Sequence, residues 1–599
     1  MSTENHRSEQ EAMLQKLDQR MRMAAFSRRK MLGGMVAGAG AVALGTVPGG
    51  AAVLAQDGTP AAELDEEQIF YNSFLANDPK SFDWNADLYC NAEQETFAGL
   101  LTFDPDGNPV ADWAETWEPN DDASVWTFHL REGNTGWSNG DPVTAHDFAW
   151  SFARILDPET ANVYGFILYD VKNGEAFNTG AEIDIDGETR VPTVDDLGLK
   201  AIDDWTFEMT LEGPRANLPQ KVAYLACLPA HRASVEEYGA EWALGDVPLV
   251  SNGPFKLDLW EKGVKVEVSK NENYWQADEI TLTKVIDPIV PSANQVNNFE
   301  NGTGDQQLDW VALGASDYVR FQEDPEKASM LRQYVYPGVW FLLPSNGIPP
   351  FDQLEVRRAV SQAIDRNRLV EVTQGLVQPA HCMVPQGVYG FFEDEEIYGI
   401  QAFDPEAALA HLEGTEFEGG KNWPEITMIM RSDEEQYNSD IMANDIAAQL
   451  EENLGMKIQI ESLVENTFRP RLYENRDQLV WIRWWLDYPD PDNVYYDMFY
   501  SGKPEGSKRQ AWSNKEYDEI VTEAKGILDP EARLEKYKEA ERILQEDVGY
   551  VILTYRLDVY AFKPWVQNIP VNTQGFSVPD GNIYTRALTQ YQISGRPEE

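Results

Sequence analysis

Segments with a strand's two-residue alternation and segments with a helix's 3.6-residue period follow one another along nearly the whole chain, and that interleaving leaves few folds open. Residues 126–130 (Trp-Thr-Phe-His-Leu) alternate and are aromatic-rich, which predicts a strand. Residues 264–268 alternate likewise, and 426–430 read as a third strand. Helical periodicity predicts helices over 145–156, 354–375, 440–454 and 529–546. Another starts at Asp404-Pro405-Glu406, where Asp can cap the first turn and Pro takes a position whose N–H has no helical partner. No fixed-period repeat interrupts the pattern. Alternation of this kind belongs to α/β layers built on mixed sheets. At 599 residues the chain exceeds what one core can hold, so two or three domains are expected.

The N-terminus reads as an address. Ser27-Arg28-Arg29-Lys30-Met31-Leu32 leads into an uncharged, Gly- and Ala-rich run from Met31 to Gln56 that ends in Val53-Leu54-Ala55, with small residues three and one before the cleavage point. A paired-arginine n-region, a weakly apolar h-region and a small-residue exit form an export signal of the twin-arginine type, with Gln56 as the expected first residue after cleavage. The competing reading is a retained N-terminal anchor, because the run exceeds the roughly 20 residues that span a bilayer. Glycines 33, 34, 38, 40, 45, 49 and 50 argue against a permanent span, since each disfavours helix and adds almost no apolar area. No Cys follows the run, so a lipid anchor there is not expected. Residues 1–55 are assigned to the signal, and the small, acidic, Pro-containing stretch 56–67 to a linker. The protein is expected to be exported, periplasmic or at the cell surface.

Charge narrows the partners. The chain carries 101 acidic residues against 48 Lys and Arg, a formal net charge of −53. Such a surface repels nucleic acid and anionic membrane, and no basic stripe offers a phosphate footprint. Solubility, adaptation to salt and a taste for cationic ligands each account for it. Cys90, Cys227 and Cys382 are too few for a disulfide scaffold; one bridge could form, leaving an odd thiol.

Enzyme signatures do not emerge. His6, His129, His146, His231, His381 and His411 include no two at metal-ligand spacing, and the chain lacks His-Glu-x-x-His, Gly-x-Ser-x-Gly and P-loop motifs. Gly38-Ala39-Gly40-Ala41-Val42-Ala43 mimics a dinucleotide fingerprint but falls inside the export signal. Asp104, Asp106, Asn108, Asp112 and Glu115 occupy positions 1, 3, 5, 9 and 12 of a calcium loop. Position 6 needs Gly for a sharp turn and is Pro109. A strand-to-strand turn through Pro105-Asp106-Gly107-Asn108 is the better reading. No catalytic residue, metal or cofactor is expected.

Short blocks along the chain resemble the family 5 extracellular solute-binding proteins, the peptide- and nickel-binding components of ABC importers. Asp78-Pro79-Lys80-Ser81-Phe82-Asp83 and Phe97-Ala98-Gly99-Leu100 open the series. Ala114-Glu115-Thr116-Trp117-Glu118 and Thr127-Phe128-His129-Leu130-Arg131-Glu132-Gly133 follow. The longest block is Trp137-Ser138-Asn139-Gly140-Asp141-Pro142-Val143-Thr144-Ala145-His146-Asp147-Phe148. Ser251-Asn252-Gly253-Pro254-Phe255, Lys270-Asn271-Glu272-Asn273-Tyr274-Trp275, Val356-Arg357-Arg358-Ala359 and Ala363-Ile364-Asp365-Arg366 complete it. The resemblance runs from about Asp78 to Tyr555. It implies an α/β, periplasmic-binding-protein-like two-lobed fold of the class II type, closing over ligand, with an extra small domain inserted in the first lobe. On that pattern the first lobe comprises 68–101, 224–345 and 551–599, the inserted domain 102–223, and the second lobe 346–550.

The resemblance also implies a site, in Trp481-Ile482-Arg483-Trp484-Trp485-Leu486-Asp487-Tyr488-Pro489-Asp490-Pro491. Asp487 matches the Asp that pairs with a peptide's α-ammonium, a charge-assisted bond that gains strength in a water-poor cleft. Arg483 and Trp485 match positions whose main chain hydrogen-bonds the peptide as an added strand would. Arg431, after the strand 426–430, resembles an Arg that clamps the ligand carboxylate. Asp87 and Tyr89 fall near a peptide-contacting strand of the first lobe. The implied partners are a peptide or other small solute and a membrane ABC permease, with the protein a monomer. A rival reading keeps the fold and stacks an oligosaccharide on Trp484 and Trp485. Nickel capture finds no histidine cluster, and an extracellular hydrolase with an unrecognised acidic pair is the reading from another class.

Overall fold

The structure is a computed structural model that describes residues 63–432, 438–474, 477–503, 508–509, 511–579 and 586–597. The export signal expected at 1–55 lies outside the described residues. Residues from Ala62 onward form one unit.

Local signals produce the expected elements. Helix Ala145–Leu156 starts where Asp147 reaches back to its N-cap residue: Thr144 donates both its N–H (2.7 Å) and its hydroxyl (2.9 Å) to Asp147 Oδ2. Its buried Phe148, Phe152 and Ile155 recur at three- and four-residue spacing and face the core. Asp404 accepts from the N–H groups of Glu406 and Ala407 to start Pro405–His411, and Asp529 accepts from Ala532 to start Pro530–Glu546. The helix expected over 354–375 is instead two, Leu354–Gln362 and Arg366–Val372. Asp365 caps the second, and the buried Arg366 guanidinium donates to the carbonyls of Ser361 and Ile364, satisfying the backbone at the break.

Three sheets organise these elements. A four-stranded sheet runs Ile69–Tyr71, Lys284–Pro288, Lys265–Lys270, Phe255–Glu261, with the first pair parallel and the rest antiparallel. A second, wholly antiparallel, runs Ala114–Pro119, Val125–Leu130, Thr206–Thr210, Leu199–Ala201. One apolar core serves both. The third sheet runs Trp310–Ala312, Val551–Phe562, Leu331–Pro344, Leu479–Trp485, Ile426–Arg431, Ile458–Leu463, with Val377–Pro379 added beside Val551–Phe562. It separates two further cores. Val339, Phe341 and Leu343 point into one and Trp340 and Leu342 into the other, as strand alternation requires.

Leu331–Pro344 and Val551–Phe562 are the long crossing strands. Tyr334, Tyr560 and Phe562 pack in the first core, whereas Phe341, Leu343, Ile552 and Tyr555 pack in the cores of the third sheet. Their pairing shifts register between Val335 and Val339, which bends the ribbon where it leaves one core for the other.

The calcium-loop-like residues 104–108 are the turn of a hairpin. Leu101–Phe103 pairs with Pro109–Ala111, and Asp104 Oδ1 accepts from the N–H groups of Asp106 and Asn108, each at 2.9 Å. All three cysteines are buried and free, so the bridge considered above does not form.

Candidate ligand-binding site

Strand Leu479–Trp485 carries the segment singled out above. Leu331–Pro344 pairs with it along its whole length, from Gly338 opposite Trp485 to Pro344 opposite Leu479. On its other side Ile426–Arg431 runs parallel, pairing Met428 with Leu479 and Ile429 with Val480, so Trp481–Trp485 runs beyond that parallel pairing. Leu479 and Trp481 enter one core, Val480 and Ile482 the opposite one. After Trp485 the chain turns, with the Leu486 N–H donating to Pro337 O at 2.9 Å, and Asp487 follows at once.

Asp487 is enclosed without being neutralised. Its N–H donates to Asn493 Oδ1 (3.0 Å), Asn493 Nδ2 donates to its Oδ2 (3.4 Å), and the Tyr164 hydroxyl donates to its Oδ1 (3.2 Å). Burial pushes its carboxyl up to about 6; the bonds from Asn493 and Tyr164 and the more distant Arg509 oppose that shift, and the neighbouring Asp497 adds to it. Asn493 also takes the Trp484 indole N–H on the same oxygen at 3.0 Å. One amide therefore fixes both the end of the strand and the carboxylate beyond it.

Tyr164 links distant parts of the chain. Its hydroxyl lies 3.1 Å from that of Tyr89, and the two rings meet edge-on at 5.7 Å. Burial, with Asp487 and Tyr89 adding to it, raises the Tyr164 hydroxyl well above the usual phenol range, so it stays a donor. Asp87 is in turn bonded to this corner, accepting the Tyr89 N–H at 2.8 Å and Lys80 Nζ at 3.4 Å. Tyr89 sits in a turn and Asp87 in irregular backbone just before it, neither in a strand. Tyr164 escaped sequence reasoning: it lies 323 positions from Asp487, in a stretch without catalytic or metal-ligand spacing.

The remaining candidates surround this corner. The Trp485 ring stands nearly perpendicular to Trp340 (5.0 Å) and Tyr336 (5.7 Å). It lies against Gly338, where a Cβ would be 2.1 Å from the ring. Arg483 and Arg556 place their guanidinium groups 5.5 and 5.3 Å from that ring's centre, and Arg509 places its own 4.5 Å from Trp484. Arg431, at the end of its strand, pairs with Glu465 at 2.8 Å, and Arg469 shares that carboxylate. Its sequence neighbours Asp433 and Glu434 lie outside the described residues.

The loop behind Asp487 is rigidly held. Asp490 takes two bonds from the buried Arg533 guanidinium, at 2.6 and 2.7 Å, and Asn217 donates to Asp492 at 3.1 Å. Among the described residues no group of three or more His, Cys, Asp or Glu is placed to hold a metal ion.

Separate cores joined by long crossing strands, with an enclosed carboxylate and aromatic rings beside them, define a two-lobed α/β solute-binding fold. Residues 108–506 match the model of the bacterial extracellular solute-binding proteins, family 5, and the chain belongs to that family. It is 28% identical to the oligopeptide-binding protein OppA of Bacillus subtilis over 504 residues, 82% of this chain and 87% of that one. Among solved structures, the unliganded open form of the periplasmic murein tripeptide-binding protein MppA superposes with a TM-score of 0.74 at 23% identity, covering 89% of this chain and 99% of that one. Peptide-bound OppA of Listeria monocytogenes gives 0.64 at 26% identity, covering 89% and 100%. The fold and family implied by the sequence blocks are those found.

Proposed function

We propose that this protein captures a peptide-like ligand outside the cytoplasm and delivers it to the permease of an ABC importer, without making or breaking a covalent bond. The observation that carries this reading is Asp487, a raised carboxylate bonded by an amide and a hydroxyl, with Arg509 acting on it only from a distance and no ion pair to it among the described residues. A ligand α-ammonium supplies the missing positive charge. The Arg483 and Trp485 main chain offers the peptide backbone a strand-like partner, a mode indifferent to side-chain identity. A ligand carboxylate at Arg431 would compete with Glu465. OppA of Bacillus subtilis is an oligopeptide-binding protein, and OppA of Listeria was solved with peptide bound; both support the assignment. The guanidinium groups over Trp484 and Trp485 speak against sugar rings stacking there.

On this reading residues 68–101, 224–345 and 551–599 form the first lobe with 102–223 inserted, 346–550 form the second, and ligand favours their closed arrangement. The protein acts as a monomer, exported through its paired-arginine leader; sequencing the mature N-terminus tests this, with Gln56 expected first. Calorimetry against peptides of two to nine residues, with mass spectrometry of the recovered peptides, tests the function. Saturable binding with intact peptide recovered is expected. Peptide cleavage, or binding of glycans but not of peptides, overturns the proposal.

A further inference from the structure

Asp487 is followed at once by a side chain seated in a different core. Tyr488 is 1% exposed and its ring lies in the core of the first two sheets, whereas Leu486, Val494 and Tyr495 lie in a core of the third. Its hydroxyl donates to Asp497 at 3.1 Å and to Asp492 at 3.4 Å. Residues 214–221 face this loop from the inserted domain. Asn217 donates to Asp492 at 3.1 Å, the Ala216 N–H donates to Lys525 O at 2.8 Å, and Lys221 Nζ lies 5.4 Å from the centre of the Tyr488 ring. The backbones meet closely: a Cβ on Gly526 would lie 2.9 Å from that of Pro214.

The seam is buried yet polar, and that decides how it behaves. Asn217, Lys221, Asp492 and Lys525 are each no more than 7% exposed. Asp170 pairs with Arg215 and, at 2.5 Å, with Lys221. Burial opposes its charge, but Lys221, Lys525 and Arg215 outweigh burial and hold the carboxyl below the usual range. Lys525 Nζ also lies 3.4 Å from the centre of the Tyr496 ring. Polar groups that part are rehydrated, so opening this seam costs less than opening an apolar core of equal area. The loop shifts as one piece, because Arg533 clamps Asp490, and Tyr164 of the inserted domain covers Asp487. A ligand reaching Asp487 has to part these contacts. We propose that residues 214–221 and the 488–497 loop form a latch between the inserted domain and the second lobe, which opens to admit ligand to Asp487 and re-seats behind it. Formed both with and without ligand, the latch sets the rates of association and release rather than the affinity. The cargo and the lobe division rest on the peptide reading above.

The test uses stopped-flow binding of a pentapeptide to the full chain, together with hydrogen exchange at Ala216 without peptide. Asn217→Ala removes one bond to a buried charge, and exchange at Ala216 is expected to quicken roughly 10-fold. Peptide association and release quicken together by a similar factor, with Kd changed less than about threefold. A second variant, Pro214→Cys with Gly526→Cys, sets two thiols across the seam, where a small shift brings their Cβ atoms to the roughly 3.5–4.5 Å of a disulfide. Oxidised, it is expected to lose association on the stopped-flow timescale, and reduction restores it. Unchanged exchange at Ala216 in Asn217→Ala, or association of the cross-linked form at the wild-type rate, overturns the latch. So does weaker binding in Asn217→Ala with association unchanged, which would give Asn217 a role in the bound state alone. If no peptide binds, the peptide reading falls and exchange at Ala216 still decides the latch.

Discussion

Asp487→Asn separates the charge at the centre of the site from its shape. Asn keeps the volume of Asp and an oxygen for the Tyr164 hydroxyl; it gives up the long 3.4 Å bond from Asn493 Nδ2, while Asn493 Oδ1 still accepts the N–H of residue 487 and the Trp484 indole. Losing one partner of an enclosed charge pair costs about 2–4 kcal/mol, and a peptide with a free α-ammonium should bind roughly 30- to 1000-fold more weakly. The pH dependence follows from the carboxyl at about 6. The peptide ammonium stays protonated below pH 7, so of the two binding partners it is Asp487 that titrates there. At pH 5 about one-tenth of it is ionised, and the apparent Kd of the wild type should rise roughly tenfold between pH 7 and 5. In the Asn variant the profile is flat.

Stability moves the opposite way. The folded chain holds this proton more tightly than the unfolded chain, whose Asp titrates near ~3.9. Native stability therefore falls as pH rises from about 4 to 6, and above that range the enclosed charge costs up to about 3 kcal/mol. Asp487→Asn should accordingly be more resistant to denaturant than wild type at pH 7.5 and indistinguishable from it near pH 4. Calorimetry with free and N-acetylated forms of one peptide, alongside urea denaturation at both pH values, provides the measurements. Equal affinity for the two forms, or wild-type binding that does not change from pH 7 to 5, would refute the α-ammonium role.

Tyr164→Phe removes a bond that favours ionised Asp487; affinity should fall roughly 3- to 10-fold and the midpoint of the binding pH profile should shift upward in calorimetric titrations. Gly338→Ala puts a methyl 2.1 Å from the Trp485 ring, and the displaced ring should cost about 1–3 kcal/mol, seen as altered tryptophan emission together with weakened binding. Arg533→Met strands the buried Asp490 and should destabilise by about 3–5 kcal/mol in urea, whereas adding Asp490→Asn recovers most of the loss.

Local chemistry made much of the fold legible. Thr144 with Asp147, Asp404 with Pro405 and Asp529 each start a helix through bonds that reach only three residues. The break at Ala363–Asp365 was not legible, because Arg366 completes it with the carbonyls of Ser361 before the break and Ile364 within it, and with Ile552 O far along the chain. The blocks that carried the family resemblance are mostly structural. Asn252 exchanges both its amide groups with the backbone of Ala98, and a Cβ at Gly253 would meet Glu95 O at 2.3 Å. Such stitches admit few residue types, and so they read clearly in a sequence. They say where the chain crosses itself, not what it binds.

The site was less legible for a physical reason. In a chain with 101 acidic residues, the position of one more carboxylate carries little information. Enclosure alone does not distinguish it either, since Asp490, three residues on, is fully buried. The difference lies in the partners. Asp490 finds its cation inside the protein, in Arg533, and the two charges close on each other. Asp487 bonds a hydroxyl and an amide, which aim it, and Arg509 acts on it only at a distance without closing an ion pair. Those partners arrive from residues 164 and 493 and meet only in the folded chain. An enclosed acid oriented by neutral donors is destabilising until a cation reaches it. That unmet charge distinguishes a binding carboxylate from a structural one.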